Sequence, residues 1–181
     1  SGSRWLPFQE YFVKRQCRPA VRAIEYRGAA GATLPAALGA ALRPGRVRAV
    51  ILFPSNPFLS IDPILAVPGL RQSLRDGGAP IVAVSPIVGG RAIKGPTAKI
   101  MRELGLPADV PAVAAHYRGL IDGLVIDGED AGLQPLLQQE GLRVAVTDTV
   151  MRSLEDRVRL AREVLDFADT IAGSPASPLS G

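Results

Sequence analysis

Short apolar runs recur along the chain and predict its strands. The clearest are Val47–Phe53, Ile81–Val84, Leu120–Ile126 and Leu142–Val146, each bounded by Gly, Pro or polar residues. A continuous apolar run of about four to eight residues between turn signals is typical of a strand buried on both faces. Val21–Tyr26 alternates apolar and polar residues instead, which predicts a half-buried strand.

Helical segments separate these strands. We predict a strand or short helix at Trp5–Val13 and helices at Leu34–Leu42, Ile61–Val67, Leu70–Leu74, Thr97–Leu104, Val110–Tyr117 and Ala131–Gln139. A last helix is expected after Ser153, because Asp156 three residues on resembles a capping box. Its apolar face is predicted to comprise Leu154, Val158, Ala161, Leu165 and Ala168.

Apolar strands separated by helices predict a mainly parallel sheet with helices on both faces. The expected fold is therefore α/β, a Rossmann-like three-layer sandwich. We expect residues 1–172 to form this single domain and residues 173–181 to be a disordered tail.

Composition excludes several classes of protein. The 181 residues are 47% apolar and 21% charged, as in ordinary globular proteins. No apolar run reaches the ~18 residues needed to span a bilayer, so no membrane association is expected. The start, Ser1-Gly2-Ser3, lacks the basic and apolar regions of a signal peptide. Cys17 is the only cysteine, which excludes an internal disulfide and fits a cytoplasmic location.

The basic residues do not favour a nucleic-acid surface. The net charge is +4, no block of five like charges occurs, and aromatic residues make up only 5% of the chain. Eighteen of the basic residues are Arg and three are Lys, of which Lys94 and Lys99 lie five positions apart. A lysine kept among so many arginines suggests a site that needs a compact ammonium group.

Polar loops follow each predicted strand. In a parallel sheet of this kind, ligands bind beyond the carboxyl ends of the strands. The loops expected at this edge are Pro54–Pro63, Ser85–Pro96, Asp127–Asp130 and Thr147–Thr149.

The Ser85–Pro96 loop indicates an anion site. Gly89 and Gly90 allow backbone amides to approach a ligand without obstruction by a Cβ atom. Pro96 suits the first position of a helix, which places Lys94 near free amides and the positive end of the helix dipole. The loop is not a Walker sequence, since no Gly-Lys-Ser/Thr occurs. A simple Gly/Pro turn with a solvated lysine is the structural alternative.

Other polar residues have a structural and a functional interpretation. Ser55 and Asn56 offer a hydroxyl and an amide to phosphate oxygens or a base edge, while Ser60 is expected to cap the next helix. Asp62 either favours the helix dipole or contacts a ligand. A lone histidine such as His116 at a helix end is more often structural than catalytic. The acidic residues of the Asp127–Asp130 loop are more often solvated than bound to magnesium.

Four motifs taken together resemble one protein family. They are Phe8–Val13 (FQEYFV), Pro54–Pro68 (PSNPFLSIDPILAVP), Ser85–Pro96 (SPIVGGRAIKGP) and His116–Gly119 (HYRG). In this order and spacing, they resemble the 2-phospho-L-lactate transferases of coenzyme F-420 biosynthesis, over Phe8 to about Phe167. The resemblance implies transfer of a 2-phospholactate or phosphoenolpyruvate group from a guanosine-diphosphate-linked donor to the deazaflavin FO, with release of GMP and assistance by Mg²⁺.

The resemblance also implies roles for individual residues. Lys94 would be catalytic, as an electrostatic donor to the transferring phosphate, and His116 and Tyr117 would bind the acceptor. The residues implied in diphosphate binding are Ser55, Asn56, Pro57, Ser60, Asp62, Ser85, Pro86, Gly89, Gly90 and Gly95. A cytoplasmic homodimer is also implied.

This chain departs from the family pattern in two respects. Asp62 stands where the family often has Gly. The N-terminal strand, the glycine-rich turn and the aspartates expected to hold the metal have no counterpart in these residues, so the fold is expected to lack the family's N-terminal portion and the metal ligands stay unknown. One alternative is a nucleotide-sugar-binding regulator without transfer chemistry. Another is a sheet fragment that needs a second chain.

Overall fold

Four parallel strands form the centre of the molecule. The computed structural model describes residues 4–93 and 95–173. The strands of the central sheet are β1 (Val50–Leu52), β2 (Ile81–Val84), β5 (Gly123–Asp127) and β6 (Arg143–Thr147). Between β2 and β5 in the sequence, β3 (Ile87–Val88) and β4 (Arg91–Ala92) form a separate hairpin. The sheet order is β1-β2-β5-β6, with all three pairs parallel, and β3 pairs antiparallel with β4.

The helices are short apart from the last. They are α1 (Ala36–Ala41), α2 (Asp62–Leu65), α3 (Leu70–Asp76), α4 (Thr97–Glu103), α5 (Val110–His116), α6 (Gln134–Gln139) and α7 (Leu154–Ala172). Two π-helical turns, Glu10–Lys14 and Pro57–Ile61, and two 3₁₀ segments, Ala29–Gly31 and Gly128–Leu133, complete the elements. Within the described residues, none of these helices combines the length and the apolarity needed to cross a membrane.

Side chains alternate between the two faces of the sheet and bury it on both. Along β2, Ala83 faces the larger core, whereas Val82 and Val84 face α7. Both faces are fully apolar at these positions, which is why the strands read as continuous apolar runs. The predicted α/β, Rossmann-like, three-layer architecture with a mainly parallel sheet is confirmed.

The consecutive strand order explains the placement of the helices. Right-handed crossovers that always step in the same direction leave their helices on one face of a parallel sheet. Met101 of α4, Val113 of α5 and Leu137 of α6 accordingly lie in the larger core. Among the helices of the described residues, only α7, which follows β6, packs on the opposite face.

Helix α7 begins and packs through specific contacts. Ser153 Oγ accepts from the Asp156 amide at 3.2 Å, and the Asp156 carboxylate accepts from the Ser153 amide at 3.1 Å, which confirms the predicted capping box. At Gly123 of β5 a Cβ atom would lie 2.6 Å from Ile171 and 2.8 Å from Phe167. Glycine at this position therefore lets α7 approach the sheet closely.

The predicted apolar face of α7 is confirmed at Ala168 but wrong at the start of the helix. Leu154 and Val158 are 68% and 40% exposed, and the buried residues of the helix are Leu160, Val164 and Ala168. Apolar residues occur on more than one side of this helix, so helical spacing alone was compatible with two different choices of the buried face. The stripe that faces Val82, Val84 and Val125 of the sheet is the buried one.

The predicted strand at Val21–Tyr26 is also wrong, because this segment has no partner strand. The amide of Val21 donates instead to the Glu103 carboxylate of α4 at 2.9 Å. Lys99 donates to the same carboxylate at 2.6 Å and to the carbonyl of Pro19 at 2.9 Å. We call Lys99, Glu103, Pro19 and Val21 the clasp, since their bonds hold the N-terminal segment against α4.

The remaining predicted elements are confirmed with shifted ends. Val47–Phe53 shortens to β1, Trp5–Val13 is helical rather than extended around Glu10–Lys14, and Ala131–Gln139 divides into a 3₁₀ segment and α6. The expected single domain over residues 1–172 stays a prediction. Most of the expected tail, residues 174–181, lies outside the described residues.

Candidate functional site

The loops after β2, β5 and β6 meet at the carboxyl edge of the sheet. The register pairs Asp127 at the end of β5 with Thr147 at the end of β6, and the Ser85 amide continues the β2–β5 ladder by donating to Val125 at 2.9 Å. Side chains then join neighbouring loops: Asp127 accepts from the Thr149 amide, and Asp130 accepts from the Gly89 amide. The predicted convergence of these three loops is confirmed.

Asp127, at the end of β5, accepts several hydrogen bonds that connect the loops after β5 and β6. Its side chain is 7% exposed and accepts from the amide and hydroxyl of Thr149 at 2.8 and 3.0 Å, and from the Glu129 amide at 3.0 Å. Thr149 is fully buried. Both oxygens of the Asp127 carboxylate are therefore occupied by protein donors.

Gly89 and Gly90 form the turn of the β3–β4 hairpin. Their φ angles are +54° and +72°, as a two-residue type I′ turn requires, and Val88 pairs with Arg91 across it. The Gly89 amide donates to Asp130, which is buried, at 3.0 Å. Gly-Gly between short apolar segments is a hairpin signal, so this turn could have been found in the sequence.

An acidic side chain lies against the same turn. A Cβ atom at Gly89 would come within 2.5 Å of Glu129 Oε2, and Arg91 pairs with this carboxylate at 3.4 Å. The turn thus has a structural explanation that includes the Asp130 bond. Its proposed role in diphosphate binding stays a prediction.

The segment after the hairpin leads into α4. Lys94 lies outside the described residues. Gly95 has φ +69°, and Pro96 is the N-cap rather than the first helical residue, because α4 begins at Thr97. The predicted helix start at Thr97 is therefore confirmed, whereas the prediction that Pro96 is the first helical residue is wrong.

Ser85 and Pro86 lie at the end of β2. Ser85 is fully buried, and its hydroxyl donates to the Ile87 carbonyl at 2.9 Å while it accepts from the Ile87 amide at 3.1 Å. These two bonds shape the turn between β2 and β3. Ligand binding by Ser85 or Pro86 stays a prediction.

The loop after β1 is organised differently, around Asn56. Its Oδ1 atom accepts from the amides of Phe58 and Leu59, both at 3.0 Å, and so caps the Pro57–Ile61 turn. Its Nδ2 atom is buried and has no hydrogen-bond partner among the described residues. The capping bonds of Oδ1 therefore fix the orientation of the side chain, and the Nδ2 amide group is left as a hydrogen-bond donor without an acceptor among the described residues.

The other predicted residues of this loop take various places. Pro57 is buried at the first position of the turn, and Ser55 is partly buried beside Asn56. Ser60 is exposed within the turn and does not cap the next helix, whose N-cap is Ile61. Asn56 has taken the capping role, because its side chain reaches the free amides at the start of the turn.

Asp62 and His116 come together at the end of this turn. His116 Nε2 lies 2.9 Å from Asp62 Oδ1, and Tyr26 donates to Asp62 Oδ2 at 3.4 Å and to the Phe58 carbonyl at 2.7 Å. Tyr117 is 3% exposed and packs edge-on to the imidazole. No local pattern indicated that Asp62 and His116, which are 54 positions apart, would be in contact.

The surroundings keep both tyrosines neutral. Burial raises the pKa of Tyr26, and the nearby Asp62 charge raises it further. Burial likewise raises the pKa of Tyr117, again with a contribution from Asp62. Neither phenol ionises at physiological pH, so both act here only as neutral groups.

A large cavity opens beside this cluster. Its volume is about 1420 Å³, and its walls come mainly from the segment 4–32 together with the Pro57–Ile61 turn and α2. The aromatic and basic side chains that line it are Arg4, Trp5, Phe8, Tyr11, Arg15, Arg22, Tyr26, Arg27 and Phe58. Sequence reasoning did not find this cavity, because the segment that forms it has no regular pattern.

The described residues do not fit a resident magnesium site. No group of three or more His, Cys, Asp or Glu side chains gathers with metal-binding geometry within residues 4–93 and 95–173. Asp127 and Asp130 already accept hydrogen bonds, and Asp62 is paired with His116. A carboxylate cage for Mg²⁺ is therefore not formed by this part of the chain.

The fold and its loops define a Rossmann-like α/β protein whose polar residues gather at the carboxyl edge of the sheet. The family described as "2-phospho-L-lactate transferase CofD" matches residues 2–165. Because this match covers most of the chain, the protein belongs to that transferase family, as the four motifs indicated.

Named relatives support the assignment. The chain is 40% identical over 172 residues to the 2-phospho-L-lactate transferase of Methanopyrus kandleri, with 93% of this chain and 53% of that protein covered. It is 35% identical over 171 residues to the phosphoenolpyruvate transferase of Streptomyces griseus, with the same coverage. Identity to the 2-phospho-L-lactate transferase of Methanocaldococcus jannaschii is 33% over 166 residues, covering 92% and 51%. The chain spans about half the length of the curated relatives it matches.

Proposed function

We propose that this chain carries the acceptor side and part of the donor side of a phosphoryl-transfer site. The reaction is transfer of a 2-phospholactate or phosphoenolpyruvate group from a guanosine-diphosphate-linked donor to the deazaflavin FO, with release of GMP, in coenzyme F-420 biosynthesis. Relatives with both transferase names match at similar identity. The donated acid is therefore left as one of these two.

The observation that carries the proposal is the unpartnered amide of Asn56. A buried N–H without a partner costs on the order of 1–3 kcal/mol, so a ligand oxygen that accepts from it gains correspondingly. The atom lies in the loop after β1, where parallel sheets of this type bind ligands. A phosphate oxygen of the guanosine-diphosphate-linked substrate could accept a hydrogen bond from the Asn56 amide. The hydroxyl of Ser55, which is partly buried beside Asn56, could bind the same phosphate group.

The cavity suits the acceptor. Planar aromatic ligands stack on aromatic side chains and on guanidinium groups, and Trp5, Phe8 and Arg27 offer such surfaces on its walls. Arg27 already lies 5.7 Å from the centroid of the Trp5 ring. We place the deazaflavin ring in this cavity, with its ribityl chain directed toward His116, which packs against Phe58 of the cavity wall, and toward Tyr117, which packs against His116.

Lys94 is proposed as the catalytic cation. Phosphoryl transfer depends on positioning and on neutralisation of charge on the transferring group, and a lysine supplies a compact ammonium for this purpose. Gly89, Gly90 and Gly95 would then shape the loop that carries it. Mg²⁺ is proposed to accompany the donor diphosphate, and no step is assigned to it because the described residues form no cage for it.

The setting of the reaction is also part of the proposal. We infer a cytoplasmic protein that forms homodimers, as the resemblance to the family implies. These two points rest on the family alone.

The test is a fluorescence titration of the chain with FO, with and without GDP and Mg²⁺. We expect saturable binding that tightens when GDP is present, because donor and acceptor occupy adjoining parts of one site. ADP serves as the control nucleotide. FO binding that GDP leaves unchanged would argue against the donor side, and nucleotide-sugar binding without FO binding would favour the regulator.

A further inference from the structure

The Asp62–His116 pair has the arrangement of a positioned base. His116 is the only histidine of the chain, and its ring is held between Phe58, at 4.9 Å between centroids, and Tyr117, at 5.0 Å, both edge-on. The Asp62 carboxylate lies 2.9 Å from Nε2. Three neighbours therefore fix both the plane and the rotation of the imidazole.

The carboxylate also determines which nitrogen is free. Asp62 accepts a hydrogen bond, so the neutral ring carries its proton on Nε2 and its lone pair on Nδ1. No described residue makes a hydrogen bond to Nδ1. The imidazole is 20% exposed, which is enough to meet a ligand atom without full solvation.

The pair lies between the two parts of the proposed site. Asp62 follows Asn56 by six residues, and the two residues lie at opposite ends of the Pro57–Ile61 turn, with Asn56 as its N-cap and Asp62 as its C-cap. On the other side, Phe58 and Tyr26, which contact the pair, line the cavity. A base at this point has the donor phosphate on one side and the acceptor on the other.

We propose that His116 is the general base that receives the proton of the acceptor hydroxyl, and that Asp62 is the residue that positions it. This inference rests on the proposed function. The hydroxyl oxygen forms a bond to the donor's terminal phosphorus while its proton passes to Nδ1. The bond between that phosphorus and the bridging oxygen breaks, and its electron pair leaves with GMP. His116 then releases the proton to solvent.

Few charged groups complicate the protonation of this ring. The groups that face it are Asp62 of α2, Tyr26 of the N-terminal segment and Tyr117 of α5, with Arg71 of α3 acting on Tyr117. Burial raises the pKa of both phenols, so neither changes its charge between pH 5 and pH 8. A pH effect on acceptor binding in this range therefore reports on the pair.

The experiment combines FO fluorescence titration with NMR of the single imidazole, at pH 5 and at pH 8. We expect FO to bind about three- to tenfold more tightly at pH 8, the effect of one hydrogen bond to neutral Nδ1. Saturation with FO should move the imidazole resonance. In His116→Gln the side-chain amide can still donate to Asp62 but cannot take up a proton, so the pH difference should vanish. Arg118→Gln, an exposed neighbour paired with Glu140, is the control and should keep it.

A second variant separates positioning from folding. Asp62→Asn removes the carboxylate that orients the ring through Nε2, so FO should bind more weakly at pH 8 in a protein with unchanged circular dichroism. FO binding that leaves the imidazole signal unmoved, or an equal pH dependence in His116→Gln, would overturn this inference and leave the proposed function intact. Absence of FO binding at both pH values would overturn the acceptor site itself, and this inference with it.

Discussion

The loop after β1 and the loops after β5 and β6 end at the same edge of the sheet but use their polar groups differently. On the β5–β6 side, Asp127 accepts three hydrogen bonds and Asp130 holds the Gly89 amide. On the β1 side, Asn56 leaves a buried donor unpartnered. The carboxylates of Asp127 and Asp130 on the β5–β6 side accept hydrogen bonds from the protein, whereas the Asn56 amide on the β1 side can still donate hydrogen bonds to a ligand.

This difference indicates where stability and ligand binding reside. Internal hydrogen bonds stabilise loops without a ligand, whereas an unmade bond weakens the fold until a ligand completes it. Substitutions on the β5–β6 side should therefore act on unfolding, and substitutions at Asn56 should act on binding. Two predictions test this division, and a third concerns the clasp at the wall of the proposed acceptor cavity.

The largest effect is expected at Asp127. Asp127→Ala leaves the amide and hydroxyl of buried Thr149 without an acceptor and should lower the free energy of unfolding by about 3 kcal/mol. Asp127→Asn keeps one acceptor oxygen and should cost about half as much. The exposed Asp148, paired with Arg152, is the control, and Asp148→Ala should cost less than about 1 kcal/mol. Urea unfolding measures all three, and equal losses at Asp127 and Asp148 would contradict the comparison.

A smaller effect on binding is expected at Asn56. Asp caps helical turns about as well as Asn, so Asn56→Asp should leave the urea midpoint nearly unchanged. It replaces the free donor with a negative oxygen, and GDP affinity should fall about tenfold or more, since each 1.4 kcal/mol is a factor of ten. Asn56→Ala loses the cap as well and should cost about 1 kcal/mol of stability. If Asn56→Asp bound GDP like the original protein, the amide would have no role in donor binding.

The smallest effect concerns the clasp that holds the cavity wall. Burial disfavours the charged form of Glu103, but the hydrogen bonds from Lys99 and the Val21 amide outweigh it and lower the pKa of this carboxyl. A lowered pKa stabilises the fold above the ordinary value near 4.3, and this contribution disappears as the pH falls through the folded-state pKa. Partial exposure limits it to about 1 kcal/mol or less.

Unfolding in urea at pH 6 and at pH 3 measures the contribution of the clasp. Glu103→Gln should be less stable than the original protein at pH 6 and nearly equal to it at pH 3. Glu140→Gln, in an exposed pair with Arg118, should differ little from the original at either pH. A constant difference for Glu103→Gln across the two pH values would show that charge at this position is unimportant.

Patterns that depend on local spacing were predicted well. The strands Ile81–Val84 and Gly123–Asp127 are buried on both faces and left continuous apolar runs, and the Ser153–Asp156 box marked the start of α7. The family resemblance was equally readable, because it rests on contiguous motifs. The order of the strands in the sheet was not predicted. In the structure the central strands lie in the order β1-β2-β5-β6, the same as in the sequence, which explains why the crossover helices lie on one face.

Features that depend on distant partners were missed. Nothing local to Val21–Tyr26 showed that its amides would meet a side chain of α4 rather than another strand. The contact between Asp62 and His116 joins residues 54 positions apart, and the unmade bond of Asn56 becomes visible only when the surrounding atoms are placed. Site residues could be listed from the motifs, but their partners could not.

The placement of α7 alone on one face of the sheet has a consequence for synthesis on the ribosome. The crossover helices follow their strands in order, so one face is covered progressively as the chain emerges. Val82, Val84 and Val125 face the other way and stay uncovered until Leu160, Val164 and Ala168 of α7, which follow all four strands in the sequence, have been synthesised. An exposed apolar sheet face is prone to aggregation. Nascent chains that stop before residue 160 should therefore depend on chaperones far more than chains that include α7.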